Sequence, residues 1–150
     1  DGIASRGLGD VYKRQSKPRI IHLPVIGEQD LGFISVIENS GLPFEIKRVY
    51  WTYHTPENVE RGFHAHYELE QIIVAMNGTI TFMLENINGE KSTFILDSPS
   101  KGLFIPKLHW RNIRFANKAV LMCIASEEYL ESDYIRNYDD FKQMQEQMKK

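Results

Sequence analysis

The sequence predicts an all-β fold, an antiparallel jelly-roll sandwich or barrel that ends in a short helix. Three observations carry this expectation. Runs rich in Ile, Val, Phe, Thr and Tyr recur from Ile20 onward, turn residues separate them at short intervals, and strand periodicity is lost only after Ser126. Many short strands at regular spacing protect their edges by closing on themselves. At 150 residues, 42% hydrophobic and 25% charged, the chain suffices for one domain with a sizeable core and leaves no room for a second.

Taken in order, residues 1–16 combine several Gly and Arg with little apolar periodicity, which predicts a disordered or vector-derived tail and a single domain over 17–150. Ile20–Ile26 reads as an edge strand, because Pro24 cannot donate to a ladder, and His22 as an edge histidine. Leu31–Glu38 is a β-branched run closed by the turn Asn39–Pro43. Ile46–Tyr53 is a longer strand. Period two sends Arg48, Tyr50 and Thr52 to one face and Lys47, Val49, Trp51 and Tyr53 to the other, and either face can be the inner one. Asn77-Gly78 and Asn88-Gly89 predict two hairpins joining Ile72–Met76, Thr79–Leu84 and Ser92–Leu96, since Asn-Gly supplies the positive φ angles of a type I′ turn. Gly102–Pro106 and Ala119–Ala125 continue the meander. Lys142–Lys150, introduced by Asp139, Asp140 and Phe141, suits a short exposed helix.

The densest set of reactive side chains is Arg61-Gly62-Phe63-His64-Ala65-His66-Tyr67-Glu68-Leu69-Glu70. Extended backbone places His64, His66, Glu68 and Glu70 on one face and Phe63, Ala65 and Leu69 on the other. A polar row on a strand that runs into Ile72-Ile73-Val74 is costly unless it is paired, liganded or wet, so it is read as pocket lining. Glu70 reads as the partner that orients one imidazole. Tyr50, Trp51 and Trp110 read as packing residues and His54 and His109 as loop residues. Asp133–Asp139, with Tyr134 and Arg136, reads as a helix-capping C-terminal anchor.

A formal net charge of −2 with both signs interspersed offers no basic stripe, so nucleic acid is not an implied partner, although a single nucleotide is compatible. No apolar run approaches the roughly 20 residues that span a bilayer, and no signal-peptide core is found, which predicts a cytoplasmic protein without a membrane partner. Cys123 is the one cysteine. It lies within Val120–Ala125 and reads as a buried structural thiol rather than a nucleophile.

The order of these blocks resembles a known family. His64-x-His66-x3-Glu70 with Gly78 resembles the first cupin motif, and Gly102 to Asn112 a version of the second. Phe44–Tyr50, Arg61–His66, Lys101–Pro106 and Ala125–Asp139 are similar to the WxcM-like nucleotide-sugar 3,4-ketoisomerases, which act on dTDP-4-keto-6-deoxyglucose in deoxysugar biosynthesis. The resemblance implies a cupin jelly roll and a homodimer with exchanged N-terminal strands. It also implies that a carbonyl moves from C4 to C3 of the hexose without a metal or organic cofactor. Carried over by position, it implies proton transfer by His64 and His66 and substrate binding by Arg48, Tyr50, Arg61 and Glu70. The chain departs from the family pattern at Tyr67, commonly Lys, and at Arg111, commonly His.

The residue types suit that chemistry. A proton α to a ketone can be removed when the developing enediolate is stabilised, which calls for a base of near-neutral pKa and a donor or cation at the oxygen. Imidazole, with an unperturbed pKa of about 6.5, meets the first need. Arg48 or Arg61 can hold a diphosphate through a guanidinium fork. Two other readings use the same residues. In a metal-dependent cupin such as a dioxygenase, His64, His66 and Glu70 are ligands, and the fourth falls at Arg111, which cannot ligate, unless His109 substitutes. In a non-catalytic sugar-nucleotide-binding cupin, Tyr67 and Arg111 mark lost activity.

Overall fold

The structure is a computed structural model that describes residues 17–149, so the tail expected over 1–16 lies outside the described residues. Its strands are β1 (Arg19–His22), β2 (Val25–Glu28), β3 (Gly32–Ser35), β4 (Arg48–Thr52), β5 (Glu60–His66), β6 (Gln71–Glu85), β7 (Lys91–Leu96), β8 (Lys101–Ile105), β9 (Trp110–Ala125) and β10 (Tyr134–Ile135). A C-terminal helix, α1, covers Tyr138–Met148. One eight-stranded antiparallel sheet runs β1-β8-β6-β9-β5-β10, with β4 added to β9 and β7 to β6, while β2 and β3 form a separate hairpin. No helix among the described residues is long and apolar enough to cross a membrane.

The frame is the pair β6 and β9, in register from Gln71 opposite Ala125 to Glu85 opposite Trp110. The predicted hairpin at Asn77-Gly78 is therefore not formed. The backbone stays in β6 and shifts register on either side of Asn77, with Gly78 at φ +71°. Asn117 and Lys118 of β9 take positive φ beside it, and a Cβ on Gly78 would lie 2.5 Å from the Asn117 carbonyl oxygen. Left-handed backbone is used here to coil two long strands around the barrel instead of reversing one, because pairing along β9 outweighs the local turn preference. Asn88-Gly89 does reverse the chain. Gly89 N–H donates to Asn86 O at 3.0 Å and Gly89 alone takes positive φ, so the loop is not the expected type I′ turn.

Alternation along β6 divides the core. Ile73, Ala75, Ile80 and Phe82 pack inside the barrel with Leu103, Phe115 and Leu121. Ile72 and Val74 face the other way, onto Phe104 and Ile124, and are covered by Ile21, Leu23, Phe44 and Ile46. Each fully buried Ile, Val, Leu or Phe side chain contributes about 1.5–3 kcal/mol. Helix α1 begins earlier than expected. Asn137 caps it by accepting from Asp139 N–H at 2.8 Å, and Phe141 packs under Ala65, Trp110 and Ile135, so the helix is not simply exposed. The buried Glu85 carboxylate fastens it by accepting from Tyr138 Oη at 2.7 Å, Lys142 Nζ at 2.9 Å and Gln145 Nε2 at 2.7 Å.

Candidate active site

Strand β5 carries the histidines, and it is bulged. Its register against β9 runs Arg61–Ile113 and Gly62–Asn112, then jumps to His64–Arg111, leaving Phe63 turned outward at φ +56°. Gly62, at φ +94°, lies so close to β9 that a Cβ would sit 2.8 Å from the Arg111 carbonyl oxygen. The bulge re-aims Gly62 O, which accepts from His64 Nδ1 at 3.0 Å. A carbonyl only accepts, so Nδ1 carries the proton and the Nε2 lone pair is left for other work. His66, two residues on, is buried, and its Nδ1 lies 3.2 Å from Asp133 Oδ2. The two imidazoles meet edge to face, with ring centroids 4.9 Å apart.

The expected four-residue polar row stops at His66, where β5 ends. Tyr67 N–H donates to the Asp133 carbonyl, Glu68 N–H to Asp133 Oδ1 and Leu69 N–H to Asp133 Oδ2, while Glu70 N–H donates to Ser126 Oγ. These distant acceptors bend the chain after His66, so strand alternation no longer places Glu68 and Glu70 on the histidine face. Glu70 is not on the cavity wall among the described residues, and Asp133 takes the imidazole-orienting place assigned to it. The next polar group in the pocket is Gln71, the first residue of β6. The ligand set His64, His66 and Glu70 is accordingly not assembled, and among the described residues no three His, Cys, Asp or Glu side chains converge.

The cavity has a volume of about 400 Å³. Arg48, Tyr50 and Thr52 from β4 form one wall, which settles the inner face of that strand, and Arg61, Gly62 and His64 from β5 form another. Ile73, Phe82, Phe115 and Leu121 make an apolar floor, and Tyr129, Tyr134 and Arg136 stand at the C-terminal side. Arg111 is fully buried in this wall. It donates through Nη1 to Gln71 Oε1 and through Nη2 to His109 O at 3.1 Å, while its Nε has no partner among the described residues. Gln71 Nε2 in turn donates to Tyr50 Oη at 2.9 Å and Cys123 Sγ at 3.2 Å.

A guanidinium held in low dielectric disfavours further positive charge nearby. Burial, then Arg111, brings His64 down to about 4. The same two causes, burial and then Arg111, hold His66 below the usual imidazole range, and its neighbours His64, Arg48 and Arg136 act in the same direction. Burial also lowers His109, to about 4, and raises Cys123 to about 11 and the Tyr50 phenol well above its ordinary value. At neutral pH both imidazoles are thus neutral, with no hydrogen bond at Nε2 among the described residues; His64 lines the cavity among four arginines, and His66 is buried against it without lining it. That combination can take a proton from carbon and hold an anion.

Sequence reasoning placed Arg48, Tyr50, Arg61 and His64 where the cavity is but took Asp133, Tyr134 and Arg136 for an anchor. Strand β10 adds to β5 with Tyr134 opposite His66, and the Tyr134 ring centroid lies 5.1 Å from His64 and 4.4 Å from His66. The one signal was period two within Tyr134-Ile135-Arg136, which puts both polar side chains on the side opposite the buried Ile135.

Residues 16–146 match the family model described as FdtA, WxcM-like, C-terminal. The chain is 38% identical over 125 residues, 83% of it and 89% of the relative, to the TDP-4-oxo-6-deoxy-α-D-glucose-3,4-oxoisomerase of Aneurinibacillus thermoaerophilus. Among solved structures it is similar to the sugar 3,4-ketoisomerase QdtA of Thermoanaerobacterium thermosaccharolyticum in complex with TDP. The TM-score is 0.81 at 34% identity, covering 87% of this chain and 96% of that one. A 3,4-ketoisomerase from Helicobacter canadensis gives a TM-score of 0.80 at 39% identity, covering 87% and 98%.

Proposed function

The chain belongs to the FdtA, WxcM-like family, and from that premise we propose that it is an isomerase converting a TDP-linked 4-keto-6-deoxyhexose to its 3-keto isomer. The observation that carries this reading is the pair of neutral imidazoles with Nδ1 engaged, His64 on the cavity wall and His66 buried against it, beside the buried Arg111, whose Nε has no hydrogen-bond partner among the described residues. Two bases with centroids 4.9 Å apart match two adjacent carbons. One takes the proton from C3, whose electrons form the C3–C4 double bond of an enediolate. The other delivers a proton to C4, while the O3 hydroxyl gives up its proton and O4 takes one up, so that O3 becomes the carbonyl and O4 the hydroxyl. The overall change is an internal transfer of hydrogen, with no electrons gained or lost.

The charge that develops on O4 needs a fixed cation, and Arg111 supplies one that cannot relax into solvent. Arg48, Arg61 and Arg136 line the same cavity and suit the diphosphate, and the Tyr50 phenol, kept protonated, can donate to the sugar. Glu70 has no role in this scheme.

The test is incubation with TDP-4-keto-6-deoxyglucose in deuterated water, with the product read by NMR. The expected result is a 3-keto product carrying deuterium at C4, with solvent exchange at C3 of the recovered substrate. His64→Asn and His66→Asn should each slow turnover by on the order of 10²–10⁴, the usual worth of a general acid or base, and the one that stops C3 exchange is the C3 base. Arg48→Ala and Arg61→Ala should instead raise KM more than they lower kcat. Normal exchange and turnover in both folded histidine variants removes the assignment.

We also infer a homodimer with exchanged N-terminal strands. In β2 and β3 every residue is exposed, including Val25, Ile26, Phe33 and Ile34, and among the described residues the hairpin pairs with no other strand. Strand β4 pairs only with β9 among the described residues and turns Val49 and Trp51 outward. A second copy that lays its hairpin along β4 covers both apolar surfaces and the open edge. A monomeric mass in light scattering at micromolar concentration rules this out.

A further inference from the structure

The cavity mouth contains a surface ion pair with unusual geometry. Arg136 Nε donates to Glu131 Oε1 at 2.6 Å and Arg136 Nη2 to Glu131 Oε2 at 2.9 Å, and the same carboxylate accepts from Tyr129 Oη at 2.6 Å. Arg136 and Glu131 are 53% and 57% exposed, and an ion pair in that setting adds little to stability. Its effect is on orientation. The guanidinium carbon lies 4.0 Å from the centroid of the Tyr134 ring, and that ring packs against both histidines. Glu131 therefore fixes a stack from the mouth of the cavity to the base, and it also fixes Tyr129, over which Arg48 sits at 5.8 Å.

A guanidinium has two edges that can each grip two oxygens. Glu131 takes the Nε–Nη2 edge. The edge carrying Nη1 makes no protein hydrogen bond among the described residues, and Arg136 lines the cavity. We propose that Glu131 is a positioning residue that clamps one edge of Arg136 so that the other faces the diphosphate of a bound nucleotide sugar. Resting on the isomerase reading for its substrate, this adds a residue outside the cavity wall to the binding apparatus. Holding the fork in place before the ligand arrives removes the rotamer loss that binding would otherwise carry.

A bystander glutamate predicts the opposite sign, which makes the idea testable. A carboxylate near a diphosphate repels it, so if Glu131 merely occupied Arg136, its neutralisation would tighten nucleotide binding. The experiment compares wild type with Glu131→Gln and Glu131→Ala by calorimetric titration with TDP, steady-state kinetics and thermal melting. The expected result is TDP binding weakened roughly five- to tenfold by Glu131→Ala, less by Glu131→Gln, which still accepts one hydrogen bond. The loss should appear in KM rather than kcat, with an unchanged melting temperature. Unchanged or tighter TDP binding in Glu131→Ala overturns the proposal. A wild-type protein that binds TDP but yields no isomer overturns the isomerase reading and leaves Glu131 to be judged by the titration. A wild type that binds no TDP overturns both.

Discussion

The pH dependence of kcat/KM is the sharpest check on the site, because an ordinary imidazole and this one differ where few other groups titrate. With its pKa lowered to about 4, His64 is about 90% neutral at pH 5, whereas a histidine at about 6.5 is about 3% neutral, a ratio of roughly 30. The acid limb reports the base in the free enzyme. The diphosphate diester of the substrate does not titrate in this window. Initial rates at subsaturating substrate from pH 4.5 to 8 should therefore stay nearly flat down to pH 5, with circular dichroism confirming that the protein is folded at each point. Arg111→Met removes the second cause of the shift, so the imidazolium becomes easier to form and the inflection moves upward, toward but not as far as the ordinary value, since burial remains. A wild-type inflection near pH 6.5, or an Arg111→Met inflection that does not move, would falsify the account of how this base is kept neutral.

Asp133→Asn replaces an acceptor shared by His66, Glu68 N–H and Leu69 N–H; turnover should fall at least tenfold and urea denaturation should show a loss of about 1–3 kcal/mol. His64, His66 and His109 all have depressed folded-state pKa values, so the unfolded chain binds more protons below about pH 6.5. Stability is present above that pH and is lost as pH falls toward 4, with up to about 1.4 kcal/mol per pH unit for each histidine, and His109→Gln should make a plot of urea midpoint against pH less steep. Gly89→Ala meets no atom within 4 Å and should cost about 1 kcal/mol for its left-handed backbone alone. Gly78→Ala adds a 2.5 Å contact with Asn117 O and should cost roughly 2–4 kcal/mol by the same assay. Equal costs at the two glycines would mean that β6 and β9 are not held together at the bend.

The fold was legible where side-chain pattern alone decides the outcome. Ile72-Ile73-Val74-Ala75 is buried on both faces, as an uninterrupted apolar run at the centre of a sheet should be, and Arg48, Tyr50 and Thr52 follow period two into the cavity. It was not legible where a distant segment competes with a local preference. Asn77-Gly78 has the composition of a hairpin, yet β9 pairs with β6 on both sides of it and with Asn77 itself. Glu70 has the spacing of a pocket acid, yet backbone donors from Tyr67 to Leu69 find Asp133, and Glu70 N–H finds Ser126, so the strand ends before reaching it. Tyr134 and Arg136 look like any polar pair in a short C-terminal segment. Only the pairing of Tyr134 and Ile135 to the edge of β5 brings this segment to the cavity, and no local feature of the chain specifies that pairing.

The hydrogen bond between His66 and Asp133 joins positions 67 residues apart, and this sets a schedule for synthesis. At about 5–20 residues per second, a ribosome adds the intervening chain in on the order of 3–13 s. Throughout that interval the nascent polypeptide carries both histidines but lacks the carboxylate that fixes one of them and the tyrosine that covers them. A chain released prematurely before Asp133 has the motif and not the site, since it lacks the cavity residues Tyr134 and Arg136 as well.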